Sequence, residues 1–327
     1  MYTELKKFGK VKTDEPLSKH TTFKIGGPAK YFVVLEDVDV LVELLQYLDG
    51  EGMPYFLLGG GSNMLASDSG FDGVVIQIKD KTIHIDKNTV EAAAGAITVE
   101  VAQQSMKAGL TGFEWGVGVP GTIGGAVRGN AGAMGKEMKD DVLKVLVYKD
   151  GEVLEVNNEA CGFAYRSSLF KREGGIVLKV FLSLEIGEEN LDAKKKMLEF
   201  LKYRNTTQPQ GFASTGCIFK NAELDQSTEL GKTNKEKLFA HFDEHDEKIQ
   251  QFLKVGKISA GWLVEQVGLK GYTVGQAQIS QRHGNFIVNL GGAKAADVLS
   301  IIETIQDRVY NEYGIEMEEE IQIVGDN

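Results

Sequence analysis

Two stretches of this 327-residue chain carry residue types whose spacing points to chemistry. The first, Leu58-Gly59-Gly60-Gly61-Ser62-Asn63, directly follows the apolar run Tyr55–Leu58. Consecutive glycines leave backbone N–H groups unobstructed, so such a turn can wrap a pyrophosphate, with Ser62 and Asn63 adding side-chain hydrogen bonds. It is neither a Walker A loop nor a GxGxxG fingerprint opening a long helix, and taken alone it is equally well a plain tight turn. The second stretch runs from Gly112 to Gly135 and holds nine glycines in 24 residues. It contains Trp115-Gly116-Val117-Gly118-Val119-Pro120-Gly121-Thr122-Ile123-Gly124-Gly125-Ala126, followed by Asn130-Ala131-Gly132-Ala133. That is too apolar for a solvated loop and too glycine-rich for a strand or helix, so backbone must pass close to something flat or bulky there. A dinucleotide with a large ring fits both stretches, the pyrophosphate at the first and the ring against the second.

Other chemistry-bearing residues give weaker signals. Cys161 and Cys217 are the only cysteines, 56 positions apart, with no CxxC or Cys/His spacing of a zinc site. Cys161, beside Gly162 and Phe163, reads as packing. His241 and His245 stand four apart with Asp243 and Asp246 nearby, but HFDEH is not HExxH, and a solvated helix face is the better reading. No metal is expected. His283 could contact a ligand or be a satisfied structural histidine; both readings stay open.

The elements that must position these residues show in the hydrophobic pattern. Short β-rich runs occur at Tyr31–Val34, Tyr55–Leu58, Val74–Ile78, Ile83–Asp86 and Val90–Ala94. Val38, Leu41, Val42, Leu44, Leu45 and Leu48 recur at helical spacing, and Gly50 and Gly52 supply the stop. Thr98 is suited to cap a helix reaching about Lys107. Strands resume at Val142–Tyr148, Val153–Val156 and Ile176–Leu184, before a helix over about Asp192–Arg204. A charged segment, about 222–257, has a thin apolar stripe (Leu238, Phe242, Ile249, Phe252, Leu253) that predicts a helix over Lys235–Leu253, and it reads as an insertion. A helix over Ser259–Val267, a strand Phe286–Asn289, a helix from about Ala293 to Tyr313 and a strand Glu320–Val324 complete the chain.

Composition bounds what this can be. Hydrophobic residues are 42% and charged residues 25%, which excludes disordered, collagenous and coiled-coil chains. The formal charge of −11 argues against a broad nucleic-acid surface, though it leaves room for a local basic pocket. There is no signal-peptide core at the N-terminus and no window of about 18 apolar residues, so a soluble cytoplasmic protein without a membrane partner is expected.

Five pieces, taken in order, make the chain recognisable. Thr21-Thr22-Phe23-Lys24-Ile25-Gly26-Gly27-Pro28-Ala29, Gly59-Gly60-Gly61-Ser62-Asn63, Val119–Ala126, Asn130-Ala131-Gly132-Ala133 and Tyr165-Arg166-Ser167-Ser168 follow the order of the UDP-N-acetylenolpyruvoylglucosamine reductase family. The second half also resembles it, in Gly216-Cys217-Ile218-Phe219-Lys220-Asn221, Ser259–Glu265, Lys270-Gly271-Tyr272, Ser280–Phe286 and Gly314–Glu320. The resemblance covers nearly the whole chain. It implies an α+β fold: a two-lobed FAD-binding domain of the vanillyl-alcohol-oxidase (PCMH) type, with lobes at 1–75 and 76–189, and a smaller α/β substrate-binding domain at 190–327 carrying the insertion at about 222–257.

The resemblance further implies FAD and NADPH as cofactors and reduction of an enolpyruvyl ether on a UDP-sugar to a lactyl ether, in peptidoglycan precursor synthesis. Gly59, Gly60, Gly61, Ser62, Asn63, Pro120, Gly121, Thr122, Gly124, Gly125, Ala126, Asn130 and Gly132 fall on its cofactor motifs. Such a reduction develops an enolate, so it needs groups that hold negative charge and an acid that protonates carbon. Arg166 and Glu320 match the two polar residues at the carboxylate, and the guanidinium fork suits a carboxylate bidentately. Lys220 and Asn221 match residues near the UDP-sugar, with Arg204 and Gln208 as second contacts.

The proton donor departs from the family pattern, which has Ser where this chain has Cys217 and Pro where it has Ala222. A thiol is a stronger acid than an alcohol and can still deliver a proton, unless nearby cations hold it as thiolate. The 51 residues from Arg166 to Cys217 resemble the shorter, second type of the family, and the charged segment is longer than that type usually shows. It reads as a helical lid or surface elaboration. The competing readings are an FAD-dependent sugar or alcohol oxidase of the same fold and a catalytically inactive flavin- or UDP-sugar-binding paralogue. The sequence leaves the oligomeric state open, with a monomer favoured.

Overall fold

The structure, a computed structural model, describes residues 1–187 and 190–325, and the chain divides into two compact units. The first comprises Met1–Pro16, Pro28–Ser62 and Phe71–Thr206; the second comprises Leu17–Gly27, Asn63–Gly70 and Thr207–Asn327.

In the first unit the helically spaced leucines form the Val38–Gly50 helix, started by Asp37, whose carboxylate accepts from Asp39 N–H. Its apolar face buries Leu41, Leu44, Leu45 and Leu48 with Val33, Leu35, Val74 and Ile76. The latter four belong to a four-stranded sheet ordered Lys10–Pro16, Pro28–Leu35, Phe71–Ile78, Tyr55–Leu58. Its inner pairings are parallel and the Lys10–Pro16 edge is antiparallel. That edge strand escapes sequence reading because KVKTDEP is charged and largely solvent-facing, as edge strands often are. The second sheet is antiparallel throughout, ordered Glu152–Asn157, Val142–Lys149, Ile176–Ser183, Thr89–Ala93, Ile83–Asp86. Its core includes Val101, Met106, Phe113, Trp115, Ile123 and Phe170.

Two local expectations are corrected here. Thr98 does not cap the Thr98–Lys107 helix but begins it, and its hydroxyl instead donates to the Gly121 carbonyl at 3.3 Å. The glycine-rich stretch is also not free of helix: it contains a 3-10 turn, Glu114–Gly118, and a short helix, Ile123–Arg128, capped by Thr122. A helix forms from IGGAVR because packing overrides propensity. A Cβ on Gly124 would come within 2.7 Å of Ala94 Cβ, so the glycine lets helix and strand approach.

Contacts thus give two units where three parts were expected. The expected boundary after residue 75 falls inside the Phe71–Ile78 strand, and the one at 189/190 abuts Glu188 and Glu189, which lie outside the described residues. The Asn190–Thr207 helix runs with the first unit as far as Thr206.

The second unit has an antiparallel sheet ordered Ala213–Cys217, Phe286–Asn289, Ala277–Ile279, Thr273–Val274. The long Ala295–Tyr313 helix contributes Val298, Ile301, Ile302, Ile305 and Val309 to its core. Met64–Ala66 and Gln322–Val324 form a separate parallel pair. The charged segment is two helices rather than one, Glu229–His241 and Glu247–Val255, because Asp246 ends the intervening turn as a new cap, accepting from Lys248 and Ile249 N–H. It is also not a mere surface elaboration. Leu224, Leu238, Ile249 and Phe252 are buried in the same core as the long helix. Phe242 stacks at 5.2 Å on Tyr313 and at 4.7 Å on Trp262, and Lys237 Nζ donates to the Gly314 carbonyl at 2.5 Å. Deleting 224–254 would remove core. Leu238→Ala alone is expected to cost about 2–5 kcal/mol in denaturant unfolding; a loss below about 1 kcal/mol would return the segment to the surface.

Among the described residues no helix is long and apolar enough to cross a membrane.

Candidate functional site

The two glycine-rich stretches, separate in sequence, meet in the first unit. A Cβ on Gly60 would lie 2.6 Å from Gly121 Cα, one on Gly59 would lie 2.5 Å from Thr122 Oγ1, and one on Gly121 would lie 2.6 Å from Ser62 Oγ. Gly121 Cα is backbone and cannot rotate aside, so at Gly60 glycine is required for the turns to abut. Ser62 Oγ donates to the Pro120 carbonyl at 3.3 Å, which ties them together. Gly61 and Gly121 have φ of +60° and +98°. Residues 59–63 and 120–126 contain peptide groups and hydroxyls and no carboxylate, a donor set suited to a diphosphate. Thr122 Oγ1 accepts from Gly125 N–H at 3.4 Å. Gly124, by contrast, packs on Ala94, to whose carbonyl its N–H donates at 3.0 Å. Ala126 lies within the short helix and is buried.

Further along the same stretch, Gly132 sits in a small hairpin, Gly132–Ala133 with Lys136–Glu137, where a Cβ would lie 2.6 Å from the Lys136 carbonyl. Arg166 stands in a tight turn between Ala164 and Ser167, at φ +52°, and its Nη2 donates to the Gly132 carbonyl at 3.3 Å. Its guanidinium also lies 5.5 Å from the centre of the Tyr165 ring. Ser168, fully buried, donates to the Arg128 carbonyl at 2.7 Å and pins the far side of that turn. Asn130 turns its amide inward: it donates to Glu137 and to the Ala164 carbonyl.

Beneath this stretch lies a carboxylate pair that sequence reading missed, because nothing in the spacing of Glu114 and Asp141 announces burial. Both are nearly inaccessible. Glu114 accepts from Thr111 Oγ1 and, at 3.0 Å, from Gly112 N–H; Asp141 accepts from Trp115 Nε1 at 2.9 Å. Burial pushes the Asp141 carboxyl up to about 6, with Trp115 opposing the shift and Asp140 and Glu114 adding to it. Folding therefore favours the protonated form. The stabilisation is complete below the ordinary value of 3.8 and is lost as the pH rises through about 6. Asp141→Asn keeps an acceptor for Trp115 without the titration, so its unfolding free energy relative to the native protein is expected to gain about 2 kcal/mol between pH 4 and pH 7.5. A pH-independent difference would show that Asp141 carries no such penalty.

In the second unit, Cys217 ends the Ala213–Cys217 strand opposite Phe286 and is half-buried. Glu320, which sequence alone places in an acidic tail, is held against that strand. Its N–H donates to the Ile218 carbonyl at 2.7 Å, Phe219 bridges Glu319, and Lys220 N–H donates to the Glu318 carbonyl at 2.8 Å. Asn63 closes the arm from the other side, its Nδ2 donating to the Glu320 carbonyl at 3.3 Å and its carbonyl accepting from Gln322 N–H at 3.1 Å.

The remaining candidates divide between the units. Lys220 is ion-paired with Glu318. Asn221 accepts from Ala260 N–H at 3.1 Å, beside Ser259, which caps the Ala260–Gln266 helix. The Gln208 carbonyl accepts from Arg282 Nη1 at 3.2 Å. Arg204 and Arg166 are in the first unit, and Arg204 lies 3.5 Å from where a Gly118 Cβ would stand. His283 resolves to the structural reading: its Nδ1 accepts from Asn285 N–H at 3.2 Å, its ring packs 4.9 Å from Phe286, and burial lowers its pKa. His241 meets Tyr313 edge-to-face at 5.3 Å, while His245 is exposed in the turn between the two helices. Cys161 is buried, and burial pushes its thiol up to about 11.

Residues 29–157 match the FAD binding domain family, and residues 208–324 match the family described as UDP-N-acetylenolpyruvoylglucosamine reductase, C-terminal domain. The chain is 38% identical to the UDP-N-acetylenolpyruvoylglucosamine reductase of Caldanaerobacter subterraneus subsp. tengcongensis, over 99% of this chain and 96% of that protein. It is 36% identical to the enzyme of the same name from Clostridioides difficile, over 97% and 94%. The crystal structure of UDP-N-acetylenolpyruvylglucosamine reductase (MurB) from Thermus caldophilus matches with a TM-score of 0.75 and 33% identity, covering 97% of this chain and 99% of that one. Alkyldihydroxyacetonephosphate synthase matches in fold alone, with a TM-score of 0.50 and 13% identity over 96% of this chain and 80% of that one.

Proposed function

The chain belongs to the UDP-N-acetylenolpyruvoylglucosamine reductase family, and from that premise we propose how its own residues carry out the reaction. It is an FAD-containing, NADPH-dependent oxidoreductase that converts UDP-N-acetylenolpyruvoylglucosamine to UDP-N-acetylmuramate in peptidoglycan precursor synthesis. FAD, when bound, takes hydride from NADPH and supplies it to the enolpyruvyl double bond.

The glycine turns at 59–62 and 120–122 would present the peptide groups that hold the diphosphate of FAD. The two sheets of the first unit are the two lobes of the flavin domain, and the region from about 190 binds substrate. Arg166 pairs its fork with the substrate carboxylate and stabilises the charge that grows there, with Glu320 beside that carboxylate. Cys217 gives its proton to the adjacent carbon. Lys220 exchanges Glu318 for the UDP-sugar, assisted by Asn221, Arg204 and Gln208. The observation that supports pairing Glu320 with Cys217 is the 2.7 Å bond from Glu320 N–H to the carbonyl of Ile218, the residue after Cys217.

The test is spectroscopic. The purified protein should be yellow, bleach anaerobically with NADPH, and regain colour with the enolpyruvyl substrate. Rapid recovery of colour with oxygen in the presence of an alcohol would instead mark a sugar or alcohol oxidase, and no turnover an inactive paralogue. We place the enzyme in the cytoplasm, as a monomer without nucleic-acid or membrane partners, which fractionation and gel filtration check.

A further inference from the structure

We propose that Asn130, which lies on a cofactor motif, is the positioning residue of Arg166. The inference rests on the role given to Arg166 above. Asn130 is fully buried and sits at φ +42°, a left-handed conformation that Asn tolerates better than other side chains. Its side chain is almost entirely used within the protein. One amide hydrogen goes to Glu137 Oε2 at 2.8 Å, the other to the Ala164 carbonyl at 2.9 Å, and its Oδ1 accepts from Lys139 N–H at 3.0 Å.

Those partners are the two structures that Arg166 spans. Glu137 belongs to the hairpin whose Gly132 carbonyl receives Arg166 Nη2, and Lys139 to the short Met138–Asp141 helix that follows it directly. Ala164 begins the turn that carries Arg166: Ala164 N–H donates to the Ser167 carbonyl at 3.0 Å and Ser167 N–H to the Ala164 carbonyl at 3.1 Å. Two residues lie between, and the second, Arg166, has positive φ, a position that turns normally give to glycine. An arginine stays there only if its surroundings over-determine it. Asn130 does so by occupying the second lone pair of the Ala164 carbonyl while holding the hairpin at a fixed distance. The guanidinium is thereby aimed before substrate arrives, and a misplacement of about 1 Å at such a group can cost about 100-fold in rate.

The decisive variant is Asn130→Gly in the holoenzyme, since glycine keeps the backbone conformation and removes all three side-chain bonds. The expected result is a fall of about 30-fold in flavin reoxidation by the enolpyruvyl substrate, with unchanged flavin content and an unchanged rate of flavin reduction by NADPH. In an Arg166→Ala background the same change should cost less than about 3-fold, because residues acting through one another are not additive. Loss of flavin with normal turnover per bound flavin would make Asn130 a cofactor ligand instead, and additive losses would make it merely structural; either overturns the proposal. If Arg166→Ala by itself leaves reoxidation intact, it is the reading of Arg166 that fails, and the proposal with it. Should Asn130→Gly not fold, Glu137→Ala, which frees one arm of the amide, is expected to slow the same half-reaction by about 3-fold, and an effect on NADPH oxidation alone counts against the proposal.

Discussion

Cys217→Ala leaves a yellow protein that NADPH bleaches normally and that enolpyruvyl substrate recolours about 100- to 10,000-fold more slowly, the range that general acid catalysis supplies. The separation of the two half-reactions is what makes the result specific. Cys217 stands at the end of the Ala213–Cys217 strand in the second unit, and the glycine turns assigned to the cofactor belong to the first, so the two half-reactions report on different residues. Cys217→Ser restores most of the activity, since an alcohol in the same place can deliver the proton. Turnover in Cys217→Ala at the native rate would remove Cys217 from the mechanism.

Most elements of this fold are legible because burial imposes period on sequence. The Val38–Gly50 helix and the strands Tyr55–Leu58, Ile83–Asp86 and Phe286–Asn289 follow their apolar pattern almost residue for residue. Where burial is weak, the pattern fails. Lys10–Pro16 is a strand held only by pairing with Pro28–Leu35, and its charged side chains give no alternation to read. The segment 222–257 misleads in the opposite sense: its charge suggests a surface appendage, yet four well-spaced apolar residues, Leu224, Leu238, Ile249 and Phe252, suffice to sink it into the core. A residue-by-residue pattern shows which side chains are apolar, not which partner buries them.

The candidate site is legible in its motifs and illegible in its joints. Glycine counts locate both turns, but only the structure brings Gly60 against Gly121, a pairing across 61 positions with no local signature. Glu320 lies in an acidic run that looks like a solvated tail, and only the bond from its N–H to the Ile218 carbonyl shows that the run is held against the residues after Cys217. Asn63 and Asn130 are polar residues of glycine-rich motifs whose side chains are engaged within the protein. Their amides face the protein's own backbone, Asn63 at the Glu320 carbonyl and Asn130 at the Ala164 carbonyl. The Glu114 and Asp141 carboxylates leave no trace at all, since their burial depends on Thr111, Gly112 and Trp115 folding over them.

Gly60→Ala is expected to yield a folded protein with less than about one-tenth of the normal flavin content. The substitution adds one methyl group, and at most sites that costs nothing or stabilises slightly by restricting the unfolded chain. At Gly60 the new carbon would stand 2.6 Å from Gly121 Cα, which is backbone and cannot rotate aside. One of the two turns must retreat by roughly an ångström. Gly121 is poorly placed to yield: its carbonyl receives both the Thr98 N–H, at 3.1 Å, and the Thr98 hydroxyl, and the next residue caps the Ile123–Arg128 helix. The 59–62 turn therefore moves. Peptide groups that must converge on a diphosphate lose their geometry, while the leucine-rich core under the Val38–Gly50 helix does not. A small loss of stability with a large loss of flavin is the signature, read from the ratio of flavin to protein absorbance and from thermal unfolding of the apoprotein. Gly50→Ala provides the contrast, because a Cβ there meets nothing within 4 Å; its flavin content should equal that of the native protein. Full flavin occupancy in Gly60→Ala would show that the two turns do not need their close approach to hold the cofactor.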